Sequence, residues 1–352
     1  MSLDIKQNKQ TKEKIKQAIE QITEQFSVGF SLATKIDTGF LDFPFQRLVI
    51  IGMGGSALPA DLLQNYRDHL LTKNHKSVKV SILSHQSYGL PAASYDQALN
   101  LICSYSGNTE ETISALREAI AQRLPVIGIS GGGEVEKICL QYKLPHLKLP
   151  FPYDGFQPRM ALGYFLAIFL QLLIKAKKFP DITTEVLEDI LLIKEESKQQ
   201  ERLGRQLATK MAEALPLIYA PFHFQVLGRL WKIKFNENSK KPAFWNFFPE
   251  VDHNEIAGFS YPQTTKYFIF MLRDFQDNPR NLLRYDLTAQ LLAKRGITSE
   301  IVDIPPGGLT YRLFSTLALG DWLTYSLAWQ QNIDPFTTPI ISELKQLLHS
   351  EE

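Results

Sequence analysis

Residues 98–122 read ALNLICSYSGNTEETISALREAIAQ. The run from Ala98 to Cys103 predicts a strand. Three hydroxyl side chains, Ser104, Ser106 and Thr109, then crowd around Gly107. From Glu110 to Gln122 the apolar residues recur at helical spacing. A strand that ends in a hydroxyl-rich turn and opens a helix is a phosphate cradle. The turn offers backbone N–H groups, the hydroxyls donate to phosphate oxygens, and the helix dipole favours a dianion. A helix cap would need only one of the three hydroxyls. The turn holds no lysine, so it is not a nucleoside-triphosphate loop. It suits a small phosphorylated ligand.

The pattern extends outward on both sides. Residues 4–34 have helical spacing, with Ile15, Ala18, Ile19 and Ile22 on one stripe. Arg47–Ile51 predicts a buried parallel strand, and Gly52-Met53-Gly54-Gly55-Ser56 turns into a helix. Val78–Leu83, Pro125–Ser130 and Leu147–Leu149 predict further strands. Gly131-Gly132-Gly133 reads as a structural turn. The alternation of strand and helix argues for a doubly wound parallel sheet. A dinucleotide site is disfavoured, because Ala57 stands where a third glycine would fall. Nor does an acid end the next strand, where Leu83-Ser84-His85 sits.

A second alternation begins later. Leu217–Ala220, Lys266–Leu272 and Thr298–Ile304 predict strands, and Gln225–Phe235, Pro279–Arg295 and Leu309–Gln331 predict helices. This half lacks a hydroxyl turn of its own, which suggests a duplicated architecture with one phosphate site. The expected organisation is a helical segment over 1–40, one α/β domain over 41–180, a helical bridge over 181–215 and a second α/β domain over 216–352.

The chain has 352 residues, enough for two domains. A net charge of +1 gives no reason to expect nucleic acid or an anionic membrane as partner. Two cysteines, Cys103 and Cys139, make no disulfide framework and fit a reducing compartment. The apolar stretch Met160–Ile174 is closed by Lys175, Lys177 and Lys178 and reads as a buried helix, not a membrane span. The polar N-terminus has no signal-peptide core, so the expected location is the cytoplasm.

Other polar residues are ambiguous by themselves. Arg159 follows a loop off the first sheet, Glu237 ends a helix, and Lys345 sits in the amphipathic stretch ISELKQLL. Each reads most simply as a solvated charge. His253 lies in the unusual polar run Glu250-Val251-Asp252-His253-Asn254-Glu255. No second histidine or cysteine pair accompanies it, which argues against a metal.

The ordered motifs GMGGS, SYSGNTEET, PR, NENSK, DHNE and NIDP with ELK resemble those of the bifunctional phosphoglucose/phosphomannose isomerases. The resemblance spans about residues 50–347 and implies two flavodoxin-like sugar isomerase (SIS) domains. It implies that Gly55, Ser56, Ser104, Ser106 and Thr109 bind the sugar phosphate. Arg159 would stabilise the anionic intermediate and Glu237 would be the base. His253, from the neighbouring subunit of a homodimer, and Lys345 would open the sugar ring. Thr338, in the loop Phe336-Thr337-Thr338, would make room for the mannose epimer. The implied substrate is a hexose 6-phosphate, with no cofactor and no metal. Asp252, just before His253, stands where members vary.

Two other readings compete. One is another SIS enzyme; the amidotransferase kind would need an N-terminal cysteine, and Met1-Ser2 supplies none. The other is a sugar-phosphate sensor. Residues 1–40 are too short for a convincing DNA-binding domain. A sensor would also have no need of Glu237, His253 and Lys345 together.

Overall fold

The computed structural model describes residues 5–73, 78–153 and 155–350. Met1-Ser2, the start of the 4–34 segment and the last two residues lie outside them. The chain divides into two compact units: Glu20–Leu191, and Leu192–Glu352 with Met1–Ile19.

The N-terminal segment is two helices, α1 (Ile5–Glu20) and α2 (Ile22–Ala33), followed by a short α3 (Thr38–Leu41). Then come β1 (Arg47–Gly52), α4 (Leu58–Thr72), β2 (Ser81–His85), β3 (Ala98–Ser104) and α5 (Glu110–Ala121). They are followed by β4 (Val126–Ser130), α6 (Gly133–Gln141), β5 (His146–Lys148) and α7 (Leu162–Lys175). The five strands are all parallel, in the order β2-β1-β3-β4-β5. That is the flavodoxin-like order, with its switch point between β1 and β3. Val49, Ile51 and Ile102 pack with Ala115 and Leu116 of α5 and Val135 of α6. Leu48, Ile50 and Leu101, of opposite parity, are also fully buried, so both faces are covered.

One expected strand is shifted. Val78 and Val80 are buried, but the ladder opens only at Ser81, opposite Arg47. The apolar pattern there reports burial of the approach to the sheet, not pairing.

The long α8 (Thr183–Met211) runs from one unit into the other. The second unit then contains β6 (Leu215–Pro221), α9 (Gln225–Asn238), β7 (Phe244–Phe248), β8 (Tyr267–Arg273), α10 (Pro279–Ala293), β9 (Thr298–Asp303), α11 (Leu309–Gln330) and α12 (Pro339–Ser350). Its parallel sheet has the order β7-β6-β8-β9, the first sheet's order less one strand. Sequence reading missed β7, a short aromatic strand at the sheet edge interrupted by Asn246.

The two faces of this sheet carry different elements. Tyr219, Ile269 and Met271 pack with Phe248, Val251, Phe259 and Tyr285 of α10. Phe270, of opposite parity, meets Trp231 and Phe235 of α9 at ring separations of 5.7 Å. The Trp231 indole N–H donates to Thr316 O of α11 at 3.0 Å. So α10 and the loop after β7 cover one face, while α9 and α11 cover the other.

Gln25 of α2 is fully buried and grips the entry to α7 from both ends of its amide. Its Nε2 donates to Met160 O at 2.8 Å, and its Oε1 accepts from Gly163 N at 3.1 Å. Met160 ends the short helical turn that carries Arg159. Gln25→Leu leaves a buried carbonyl and a buried N–H without partners. The expected cost is about 2–4 kcal/mol of stability, read by urea unfolding.

Candidate active site

The hydroxyl turn sits at the switch point of the first sheet. β1 ends at Gly52 beside Cys103, and both chains leave the sheet in short turns. The Tyr105 N–H donates to Ser56 Oγ at 3.0 Å, tying the two strand ends together. Ser104 Oγ and Thr109 Oγ1 lie 2.8 Å apart, and Ser104 Oγ also accepts from Gly107 N at 3.1 Å. Ser106 Oγ, exposed, accepts from Asn108 N at 3.3 Å. Thr109 occupies the N-cap position of α5 but makes no side-chain cap. The hydroxyls therefore do not serve as a helix cap.

Their arrangement favours an anion. The backbone uses Ser56, Ser104 and Ser106 as acceptors, which leaves the hydroxyl hydrogens of Ser56 and Ser106 for donation. Ser104 and Thr109 share one hydrogen between them and keep another. The first turn of α5 adds its N–H groups and the positive end of its dipole.

Gly131-Gly132-Gly133 is the platform for this turn. Gly107 has φ +73°, and a Cβ there would lie 1.8 Å from Gly132 O. Val135 N donates to Gly107 O at 3.0 Å, and Gly131 N to Tyr105 O at 2.9 Å. Glu134 N donates to Asn108 Oδ1 at 3.0 Å. Behind the turn, the Tyr105 hydroxyl donates to Pro150 O at 2.7 Å, and its ring packs on Phe151 and Phe156.

Gly55 explains the position of Arg159. A Cβ on Gly55 would stand 2.7 Å from the backbone of Pro158 and Arg159. Only glycine lets these two turns touch. Tyr153, close enough to feel the Arg159 charge, is pushed up to about 12 by burial and then by Tyr164, with Arg159 opposing. Its phenol stays a neutral donor near the guanidinium at ordinary pH.

The other candidates belong to the second unit. Glu237, half-buried, lies in the last turn of α9. That end is fixed to α11 by Lys234 and Asp321, 2.6 Å apart, and by Asn238 Nδ2 donating to Thr324 Oγ1 at 3.0 Å. Lys240, with φ +56°, closes the helix, and its amine donates to Glu237 O. His253 is exposed, in the loop after β7. Glu237 and His253 thus lie on opposite faces of one sheet. Thr338 immediately precedes α12, and Lys345 is exposed on that helix.

The bifunctional phosphoglucose/phosphomannose isomerase of Caldicellulosiruptor bescii is 33% identical over 314 residues, covering 86% of this chain and 89% of that protein. The chain belongs to the bifunctional phosphoglucose/phosphomannose isomerase family. The family member from Aquifex aeolicus is 29% identical over 312 residues, covering 87% and 91%. The family model for the bacterial phospho-glucose isomerase C-terminal SIS domain matches residues 200–348. Among solved structures, the C-terminal domain of glucosamine-fructose-6-phosphate aminotransferase from Francisella tularensis superposes with TM-score 0.67 at 13% identity, covering 91% and 96%. At that identity the likeness is one of fold.

In this isomerase-family chain the structure brings Gly55, Ser56, Ser104, Ser106, Thr109 and Arg159 into one constellation. It places Glu237, His253, Thr338 and Lys345 in the other unit. Gly131-Gly132-Gly133 forms a structural turn, as the sequence suggested, while sequence reading missed two other supports: Asn108 behind the cradle and Gln25 behind Arg159. Asn108 stood in the quoted motif, but only its bond to Glu134 N gives it a role.

Gly54 and Gly107 separate backbone freedom from close packing. Both have positive φ, yet a Cβ on Gly54 meets nothing within 4 Å. Gly54→Ala is expected to cost about 1 kcal/mol, and Gly107→Ala about 3 kcal/mol or more, in urea unfolding. Gly107→Ala should also weaken binding of inorganic phosphate, followed by calorimetry.

Proposed function

We propose that this protein interconverts glucose 6-phosphate and mannose 6-phosphate with fructose 6-phosphate. Family membership and the phosphate cradle at Ser56, Ser104, Ser106 and Thr109 support the reading. In this reading the cradle holds the 6-phosphate, remote from the reacting carbons, and keeps the sugar in register. Glu237 removes the C2 proton of the aldose and returns it to C1, giving the ketose through a cis-enediolate. The Arg159 guanidinium cannot lose its proton and faces the growing charge on the two oxygens. His253 and Lys345 open the ring, and Thr338 leaves room for the mannose epimer. The reaction moves protons within one molecule and consumes no redox cofactor.

The opposite placement of Glu237 and His253 supports a homodimer. Glu237 is on the α9 face of the second sheet, and His253 is on the α10 face. A sheet with both faces packed separates them, so His253 of one chain serves the Glu237 site of the other. We place the reaction in the cytoplasm, since both cysteines are buried and unpaired. Among the described residues no helix is long and apolar enough to cross a membrane.

Purified protein should turn over both aldose phosphates in a coupled assay; failure on both overturns the proposal. Glu237→Gln should lower kcat about 10³-fold while leaving sugar-phosphate affinity nearly unchanged. Mixing Glu237→Gln and His253→Ala chains, each impaired alone, should restore activity in the mixed dimer. No restoration in a dimer shown to be mixed would overturn the shared site.

A further inference from the structure

His253 is exposed, and among the described residues no group hydrogen-bonds its imidazole. Its own contacts do not orient it. Its neighbours are held firmly instead. Asp252, with a side chain only 10% exposed, accepts from Arg284 Nη1 at 3.1 Å and from Thr288 Oγ1 at 2.8 Å, both on α10. Glu255 is held from the sheet. The Tyr219 hydroxyl of β6 donates to one carboxylate oxygen at 2.8 Å, and Asn246 Nδ2 of β7 donates to the other at 2.6 Å. Burial, and next the Glu255 charge, push the Tyr219 phenol well above its ordinary range, so it stays a donor. Between the clamps, His253 N donates to Glu250 O at 2.9 Å and Glu255 N to Asn254 Oδ1 at 2.6 Å.

We infer that Asp252 and Glu255 are positioning residues for His253: one carboxylate on either side pins the loop to α10 and to the sheet, so that an exposed imidazole is presented in a fixed place. This rests on the reading of His253 as a ring-opening residue. The physical need is specific. A histidine delivered to another chain's site has no neighbours of its own there until the partner arrives. Its backbone must already be ordered, or the ordering cost falls on each docking. A surface loop held by one hydrogen bond would not suffice. Here four donors from three elements hold the two flanking carboxylates.

The test is a double-mutant cycle on kcat with glucose 6-phosphate. Asp252→Asn keeps the shape but loses the charge that Arg284 meets. It should lower kcat about 10- to 100-fold with KM little changed. In a His253→Ala background the same substitution should cost less than about twofold, because its effect runs through a side chain already gone. Glu255→Gln should behave alike. The loss should also vanish on the 5-deoxy analogue of fructose 6-phosphate. That substrate lacks the hydroxyl that closes the ring, so no ring opening is required. If Asp252→Asn does not fold, Thr288→Val removes one donor only and is carried through the same two backgrounds with a smaller loss expected. Independent, multiplying effects of Asp252→Asn and His253→Ala, or full activity of Asp252→Asn, would overturn the inference. Full activity of His253→Ala would instead remove the ring-opening role on which it rests.

Discussion

The Tyr105 N–H bonded to Ser56 Oγ joins the ends of β1 and β3, and the cradle depends on that junction. In a doubly wound sheet the chains leaving two neighbouring strands diverge at the switch point, and a crevice opens there. A crevice alone binds nothing in particular. The Ser56–Tyr105 bond brings two turns together across it and consumes a hydroxyl lone pair in doing so. The same happens at Ser104, which accepts from Gly107 N. The backbone occupies one lone pair on each of these hydroxyls and leaves hydroxyl hydrogens for donation. Such a set of donors suits an oxygen-rich anion. The glycines follow from this geometry. Gly107 has to lie against Gly132, and Gly55 against Pro158-Arg159, for the donors to converge.

The second sheet has the same strand order around its own switch point but fills it differently. At the ends of β6 and β8 stand His223 and Asp274, with His223 Nε2 2.6 Å from Asp274 Oδ2. Arg312 of α11, itself buried, donates to the same carboxylate oxygen and to Gln276 Oε1 at 2.7 Å. Hydrogen bonds from His223 and Gln276 N, with the Arg312 charge, outweigh the burial of Asp274 and hold its carboxyl below the usual range. The cationic and donor groups at this switch point are therefore committed to an internal carboxylate. One unit leaves its donors facing outward; the other supplies its own anion. The shared topology does not fix which of the two occurs. The residues after the strands, Ser-Tyr-Ser-Gly-Asn-Thr at 104–109 and Asp-Phe-Gln-Asp-Asn at 274–278, do.

Both sheets and the hydroxyl turn were legible because they rest on local signals. Buried parallel strands read as apolar runs, and a hydroxyl turn announces itself within six residues. What stayed hidden depends on partners distant in sequence. Gln25 is one polar residue in an apolar helical stripe until Met160 and Gly163 are seen at its amide. Asp252 and Glu255 looked like parts of a polar loop, and only Arg284, Thr288, Tyr219 and Asn246 turn them into clamps. The strand at Phe244–Phe248 escaped because an edge strand needs pairing on one side only and its burial is uneven. Arg159, Glu237, His253 and Lys345 carried no decisive local signal at all, and motif order alone singled them out.

The separation of Glu237 from His253 follows from the period of a strand. Side chains of β8 alternate, so Ile269 and Met271 face α10 while Phe270 faces α9. Any residue anchored through α9 is then on the other side of the sheet from one anchored through α10. Neither side-chain motion nor a local loop shift changes that parity. A reaction centre that needs both groups cannot draw them from one copy of this unit, because the packed sheet lies between them. In the proposed reaction one group therefore comes from each of two copies. Under that proposal the histidine loop works in another chain's site and has to be rigid in its own, and the hydrogen bonds that hold Asp252 and Glu255 suit that need.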